Sequence, residues 1–331
     1  MKRLDPLTRV TLRTGHTLLA GGGHSRSLLV LIFHRVLAAA DALQPDEPDA
    51  AAFAAQMDLV RDLCNVLPLS EAIDRLYAGS LPPRAACITF DDGYANNLTV
   101  AAPILAQRGL PATVFVSTGF IGNGRMWNDT VIESVRRAGD VLDLESLGLG
   151  CHPLPDMTAR RRAIDAILHG LKHLDPRERL HKASGICERV GRALPEDLMM
   201  SEAQIKALHR QGIEIGAHTV THPILRSVAP EVARREIAAS KDALEAITGA
   251  PVKTFAYPNG RPHEDYDASH VRMVRECGFS AAVSTAWGVA ARHTDRFQVP
   301  RLLPWDRSAL KFAARLLLAR RARQATSVTA D

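Results

Sequence analysis

Two groups of side chains in this chain could do chemistry. Thr89-Phe90-Asp91-Asp92-Gly93-Tyr94 sets two carboxylates side by side, and far downstream His218-Thr219-Val220-Thr221-His222 supplies two imidazoles four residues apart. Two neutral imidazoles and one carboxylate make a facial set of three ligands, which a catalytic zinc uses while keeping a position open for water. The remaining carboxylate is then free to act as a base. Either motif alone is common in turns and on surfaces. Both at strand ends in one chain point to a metal site with a base beside it.

The surrounding sequence predicts how they are positioned. Ala86-Cys87-Ile88-Thr89-Phe90 is a short apolar run of the kind found in parallel strands buried on both faces, so the aspartates follow its C-terminal end. Gly93 permits a turn, and residues 96–107 have helical spacing, with Gly109 as the stop. Ser201-Glu202-Ala203-Gln204 reads as a capping box opening a helix through His209. Gly212 then leads into a strand over 213–217 that delivers His218, with His222 one turn later and Pro223 at the exit. Strand candidates recur near 27–33, 64–67, 86–90, 112–117, 213–217, 252–257, 279–284 and 297–302, and helical stretches separate most of them. That alternation predicts a parallel sheet, whose C-terminal rim is where chemistry collects in barrel-like folds. Residues 128–200 break the rhythm. Helical spacing over 157–173 and 176–190 predicts a helical insertion on the rim, a lid or substrate wall. Its His152, His169, His173 and His181 lie among Arg and Lys without a ligand-type repeat, which argues against a second metal cluster.

Residues 88–93, the stretch from Pro103-Ile104-Leu105 through Val114-Phe115-Val116, the His218/His222 pair and Phe255-Ala256-Tyr257-Pro258-Asn259-Gly260 together resemble the polysaccharide deacetylase family. This is carbohydrate esterase family four, the NodB-homology group, and the resemblance runs over roughly residues 27–305. It implies a distorted (β/α)-barrel of about seven parallel strands. It also implies a metal-dependent hydrolase that removes N-acetyl groups from amino sugars of a bacterial surface polysaccharide or its lipid-linked precursor. By resemblance Asp91 is the base, and Asp92, His218 and His222 hold the metal. Tyr257 and Pro258 form the oxyanion motif, with a main-chain N–H near Asn259 as donor. Zinc is the default metal, and cobalt, nickel or iron suit the same ligands.

Two positions depart from the commonest family pattern. Many members carry a general-acid histidine near the end of the domain, whereas residues 297–303 have none. Instead, the strand pattern over 27–33 ends in His34-Arg35-Val36, which resembles the circularly permuted branch that includes poly-N-acetylglucosamine deacetylases, so His34 is the expected acid. The arginine that usually orients the base is replaced by Ala256, leaving Arg261 and Arg301 as alternatives. Trp127, in Met126-Trp127-Asn128-Asp129, resembles an aromatic of that branch. It is either part of a sugar-stacking wall or a plain core tryptophan.

At 331 residues and 46% hydrophobic, the chain can bury one large α/β core. The expected organisation is an N-terminal extension (1–26), a catalytic domain (27–305) carrying the insertion at about 128–200, and a basic C-terminal helix and tail (306–331). Lys and Arg number 41 against 36 acidic residues. Part of the excess, Lys311, Arg315, Arg320, Arg321 and Arg323, punctuates Phe312, Leu316, Leu317 and Leu318. Such a helix either makes peripheral contact with an anionic membrane or packs on the barrel with a solvated basic end. No nucleic-acid motif is present. Five cysteines without paired spacing read as free thiols, with Cys87 in the core. With no apolar signal core and no run near the ~18 apolar residues of a membrane span, the expected place is the cytoplasm, peripheral on the inner face of the membrane. Competing activities are deformylation or O-acetyl ester cleavage on a related saccharide, and a catalytically lapsed saccharide-binding protein. Oligomeric state leaves no mark in the sequence.

Overall fold

β1 (Leu29–Phe33) and β3 (Ala85–Phe90) are apolar and buried along their whole length, and they pair in parallel from Leu29 with Ala86 to Phe33 with Phe90. β2 (Asn65–Val66) runs beside the start of β3, and β4 (Thr113–Val116) beside its end. β7 (Glu214–Ala217), β8 (Thr254–Ala256), β9 (Ala281–Trp287) and β10 (Val299–Arg301) continue the sheet in the order β1-β3-β4-β7-β8-β9-β10, every neighbouring pair parallel. Just past β10, Leu302 returns to β1. Its N–H donates to the Val30 carbonyl at 2.8 Å, and its carbonyl accepts from Ile32 N–H at 3.1 Å. Seven parallel strands thus make a nearly closed barrel, the predicted (β/α) architecture. The computed structural model describes residues 14–15, 27–122, 124–304, 306, 308–320 and 325–329. Nearly all of the expected N-terminal extension, together with Arg321 and Arg323, lies outside the described residues.

Alternation along the strands builds two apolar layers. Leu29, Leu31, Phe33, Ile88 and Phe90 share a cluster with Phe53 and Met57 of α1 (Ala50–Leu63). Leu28, Val30, Cys87, Phe115 and Val283 pack instead with Leu69 and Ile73 of α2 (Leu69–Ala78). The rings of Phe33, Phe53 and Phe90 have centroids 5.2–5.8 Å apart, which fixes the ends of β1 and β3 immediately before His34 and Asp91. After β3, the expected helix begins as a π turn, Asn97–Ala101, before α3 (Ala102–Ala106). Pro103 offers no N–H to an ordinary α-turn there.

Residues between β4 and β7 form α4 (Trp127–Arg137), an antiparallel hairpin of β5 (Val141–Asp143) and β6 (Cys151–Pro153), α5 (Met157–Lys172) and α6 (Pro176–Val190). Val131, Leu142, Ile164, Ile167, Leu171 and Ile186 give this segment its own core. The hairpin was not predicted, because three-residue strands are too short to show a period. α7 (Glu202–Arg210) opens with the Ser201/Gln204 capping box, and α8 (Pro230–Thr248), α9 (Ala268–Glu276) and α10 (Ala309–Ala319) complete the outer layer.

α10 buries Phe312, Ala313 and Leu316 against the barrel. Arg320 turns inward and donates to the carbonyls of Ala85 (3.0 Å) and Ser27 (3.1 Å), while Arg315 pairs with Asp306. Two of the basic residues expected on an outward face are therefore engaged within the protein. No helix among the described residues is long and apolar enough to cross a membrane. All five cysteines are free, and Cys87 is buried.

Candidate active site

Asp91 leaves β3 with its N–H on the Phe33 carbonyl, 2.9 Å away, so its carboxylate stands at the C-terminal mouth of the barrel. Arg301, at the end of β10, meets it with two parallel bonds of 2.7 Å, and its Nε is anchored on the Ser284 carbonyl at 3.0 Å. Both side chains are almost completely buried. Burial alone would raise the Asp91 carboxyl, but the Arg301 charge outweighs it with help from His218, holding the pKa down to about 2. A planar fork on both oxygens fixes orientation as well as charge. Arg261, the alternative partner, lies on the surface with Glu264 and does not reach the base.

The next residue turns the other way. Asp92 has φ +74° and Gly93 φ +90°, and a Cβ at Gly93 would stand 2.9 Å from Val116 Cγ1, so only glycine lets the turn lie this close to β4. This bend directs Asp92 Oδ1 to within 3.5 Å of both His218 Nε2 and His222 Nε2. His218 leaves β7 with its N–H on the Val116 carbonyl, and its Nδ1 donates to the Ala256 carbonyl at 2.7 Å, which leaves the lone pair of Nε2 pointing at the site. Residues 218–222 are not the helical turn expected. Thr219 (φ +64°) and His222 (φ +54°) are left-handed, and Glu236 of α8 holds the loop by accepting from Val220 N–H (2.8 Å), Thr221 N–H (2.7 Å) and the Thr221 hydroxyl (2.8 Å). Burial, with the His218 and Arg179 charges adding and Asp92 opposing, lowers His222 to about 4, so its imidazole is neutral.

Asp92, His218 and His222 are the only group of three or more candidate ligands among the described residues, with one donor atom from each lying within 4.8 Å of the others. Asp92 Oδ1 is buried without a hydrogen-bond donor. A buried carboxylate oxygen left without a donor and facing two imidazole nitrogens is a set of atoms that fits a divalent cation.

The family profile described as polysaccharide deacetylase matches residues 78–282, more than half of the chain. The chain belongs to this family. Among curated proteins, this deacetylase-family chain is 25% identical over 219 residues to YxkH of Bacillus subtilis (strain 168), provisionally named a polysaccharide deacetylase. That alignment covers 66% of the chain and 51% of YxkH, so the chain spans about half the length of the curated relative it matches. Solved structures share its fold at low identity. The Streptococcus pyogenes deacetylase PplD, in complex with acetate, superposes with TM-score 0.56 at 19% identity over 84% of this chain and 92% of that one. IcaB from Ammonifex degensii gives 0.55 at 20% identity over 89% and 97%. A de-N-acetylase from Aggregatibacter actinomycetemcomitans gives 0.56 at 15% identity over 88% and 99%.

In this deacetylase-family chain the four central residues open into a cavity of about 400 Å³, also lined by His34, Glu47, Tyr94, Trp127, Asn128, His169, Lys172, Arg179, Asn259 and Thr285. His34 faces the cavity from the end of β1, and its carbonyl accepts from the Asn97 amide at 3.0 Å. Asn259 reaches the rim from the loop after β8 with φ +57°. Tyr257 does not. Its ring is fully buried in the core, stacked on Tyr266 at 4.0 Å, because period two along β8 puts it on the same outward face as Phe255. Pro258 is buried too and lies outside the cavity wall. Trp127 lines the cavity half-buried, with the Arg179 guanidinium over its ring at 4.9 Å.

Several contributors carry no signal in the sequence. Glu47, from the loop before α1, stands in the cavity with its carboxyl raised by burial against the opposing fields of His34 and Arg35. Arg35 pairs with buried Asp129 at 3.2 Å and covers the Tyr94 ring at 4.5 Å, which ties the start of α4, and with it Trp127, to the end of β1. Burial pushes Asp129 up to about 6 despite Arg35. Arg179, Lys172 and Glu236 are long charged residues on helices, which in sequence read as solvated faces.

Proposed function

We propose that the protein is a metal-dependent amide hydrolase that removes N-acetyl groups from amino sugars of a surface glycan or its lipid-linked precursor. The observation that carries this reading is the pairing of two adjacent carboxylates with opposite surroundings. Asp91 is clamped by Arg301 and kept ionised, whereas Asp92 Oδ1 is bare and faces the Nε2 atoms of His218 and His222. The family assignment supports it, as does the likeness to structures described as deacetylases, one of them holding acetate.

A divalent cation held by Asp92, His218 and His222 would supply Lewis acidity, making water a better nucleophile at neutral pH and drawing charge from an acyl carbonyl. The remaining work falls to the chain. Asp91 takes the proton of the attacking water, and because Arg301 occupies both its oxygens it does so from a fixed orientation. His34 faces the same cavity from the β1 end and is assigned as the acid that protonates the departing amine. The main-chain N–H at Asn259 is assigned to the developing oxyanion. Zinc is the default metal, and two imidazoles with one carboxylate equally suit cobalt, nickel or iron. Peripheral membrane contact through α10 is a secondary proposal, resting on exposed Leu310 and Leu318 rather than on Arg320, which faces inward.

Acetate release from N-acetylated oligosaccharides and lipid-linked amino sugars tests the reading. Metal-loaded wild type is expected to release acetate. Asp91→Asn should keep metal and lose turnover, and Asp92→Ala should lose both. Full metal retention by Asp92→Ala would overturn the ligand assignment. Formate rather than acetate release would move the reading to a deformylase, and activity on O-acetyl esters alone would move it to an esterase.

A further inference from the structure

The insertion places an unusual group in the cavity wall. Arg179 of α6 is only 4% exposed, yet no carboxylate among the described residues comes within 4.0 Å of its guanidinium. Nη1 donates to the Lys172 carbonyl at 3.3 Å, one face lies on Trp127, and Nε is buried without a partner. The other buried arginines at this end of the barrel are matched, Arg301 by Asp91 and Arg35 by Asp129. Asp175 acts on this guanidinium only at a distance and makes no ion pair with it, and a buried cation so poorly matched is costly, so its retention beside a site asks for an anion that arrives from outside. Lys172, half-buried at the end of α5, lines the same cavity and also lacks an ion pair among the described residues, and His169 stands one helical turn before it.

Arg179 also changes what Trp127 can do. With a guanidinium over one face, the indole has less surface left for stacking a sugar. Its main effect is to hold the guanidinium at the cavity wall. A neutral acetamido sugar can accept hydrogen bonds from these groups but leaves their charge uncompensated. We infer that Arg179 and Lys172 form an oxyanion subsite, and that the saccharide hydrolysed here carries a negative group, a phosphate ester or a carboxylate, next to the acylated amine. This rests on the amide-hydrolase reading above and names the substrate class for it. Phosphate and carboxylate share the chemistry a guanidinium and an ammonium recognise.

The test compares three probes on the metal-loaded full chain: N-acetylglucosamine 1-phosphate, an N-acetylated amino-uronic acid, and the neutral methyl glycoside of N-acetylglucosamine. Amine release is measured on each, and binding of each to Asp91→Asn is measured by calorimetry. One or both anionic probes should exceed the neutral one about 10- to 100-fold in kcat/KM and in affinity, the worth of one or two charge-assisted hydrogen bonds. The better anionic arm identifies the source of charge. Arg179→Gln and, at the less buried position, Lys172→Gln should lower the anionic-probe values at least about 10-fold more than the neutral-probe values, so that the preference is lost whatever the change in overall activity. Equal losses on charged and neutral probes in both variants, or no preference in the wild type, would overturn the subsite. Charge-selective binding without turnover would sink the hydrolase reading and leave the subsite standing, whereas turnover without charge selectivity would do the reverse.

Discussion

Arg301 offers the sharpest test of how the base is held. Keeping the Asp91 carboxyl at about 2 instead of its ordinary 3.8 is worth about 2 kcal/mol to the fold in the ionised state. The sign follows from linkage. A lowered carboxyl stabilises the protein above its unfolded value, and that contribution disappears as pH falls through about 2. In Arg301→Met the counter-charge is gone while burial, which pushes the carboxyl upward, remains. Breaking a buried pair from one side costs about 3–5 kcal/mol at neutral pH. Because the orphaned carboxyl then accepts a proton on acidification, the deficit should shrink between pH 7 and pH 4. Urea unfolding of chelator-stripped protein at both values measures this without a contribution from bound metal. Activity gives a second reading: the acidic limb of kcat/KM should move upward in Arg301→Met. Arg301→Lys keeps the charge but not the fork, so its limb should stay while kcat falls about 10- to 100-fold through misorientation. A Met variant within 1 kcal/mol of wild type at pH 7 with an unmoved limb would refute the account.

Three further outcomes follow from the geometry. His34→Ala should slow amide cleavage about 10²- to 10⁴-fold but affect an activated aryl ester far less, since that leaving group needs no proton; equal losses would remove His34 from the acid role. Glu236→Ala frees the loop between the two histidines and should weaken zinc binding about 10- to 100-fold in a chelator competition, and unchanged affinity would show that the loop holds itself. Gly216→Ala sets a Cβ 2.4 Å from the Phe115 ring, which underlies the Arg301 guanidinium at 5.7 Å. It should cost about 1–3 kcal/mol in urea unfolding, and a variant as stable as wild type would mean that Phe115 has room to move.

The barrel and the four central residues were legible because each left a local mark. Buried parallel strands read as apolar runs, and Asp-Asp-Gly and His-x-x-x-His are fixed in type and spacing. What escaped depends on contacts between distant segments. Arg301 and Arg261 are equivalent in sequence, and only closure of the barrel beside β1 brings Arg301 to Asp91. Tyr257 belongs to a recognisable motif, yet the pleat of β8 sends its ring away from the cavity. Arg179 carries no mark at all, since a buried cation and a solvated one on an amphipathic helix look alike until the facing elements are in place. The β5–β6 hairpin failed for want of length.

The closure between Leu31 and Leu302 also bears on how the protein is made. A chain emerging from the ribosome has all three candidate ligands once His222 is out, but the partner of Asp91 comes with β10, the last strand of the barrel. Until then β1 and β9 are open edges, ready to pair with other chains, and the buried carboxylate has no counter-charge. Synthesis thus passes through a stage that holds the three candidate ligands but lacks the arginine that orients Asp91, and the same final strand both covers the open edges and completes that pair.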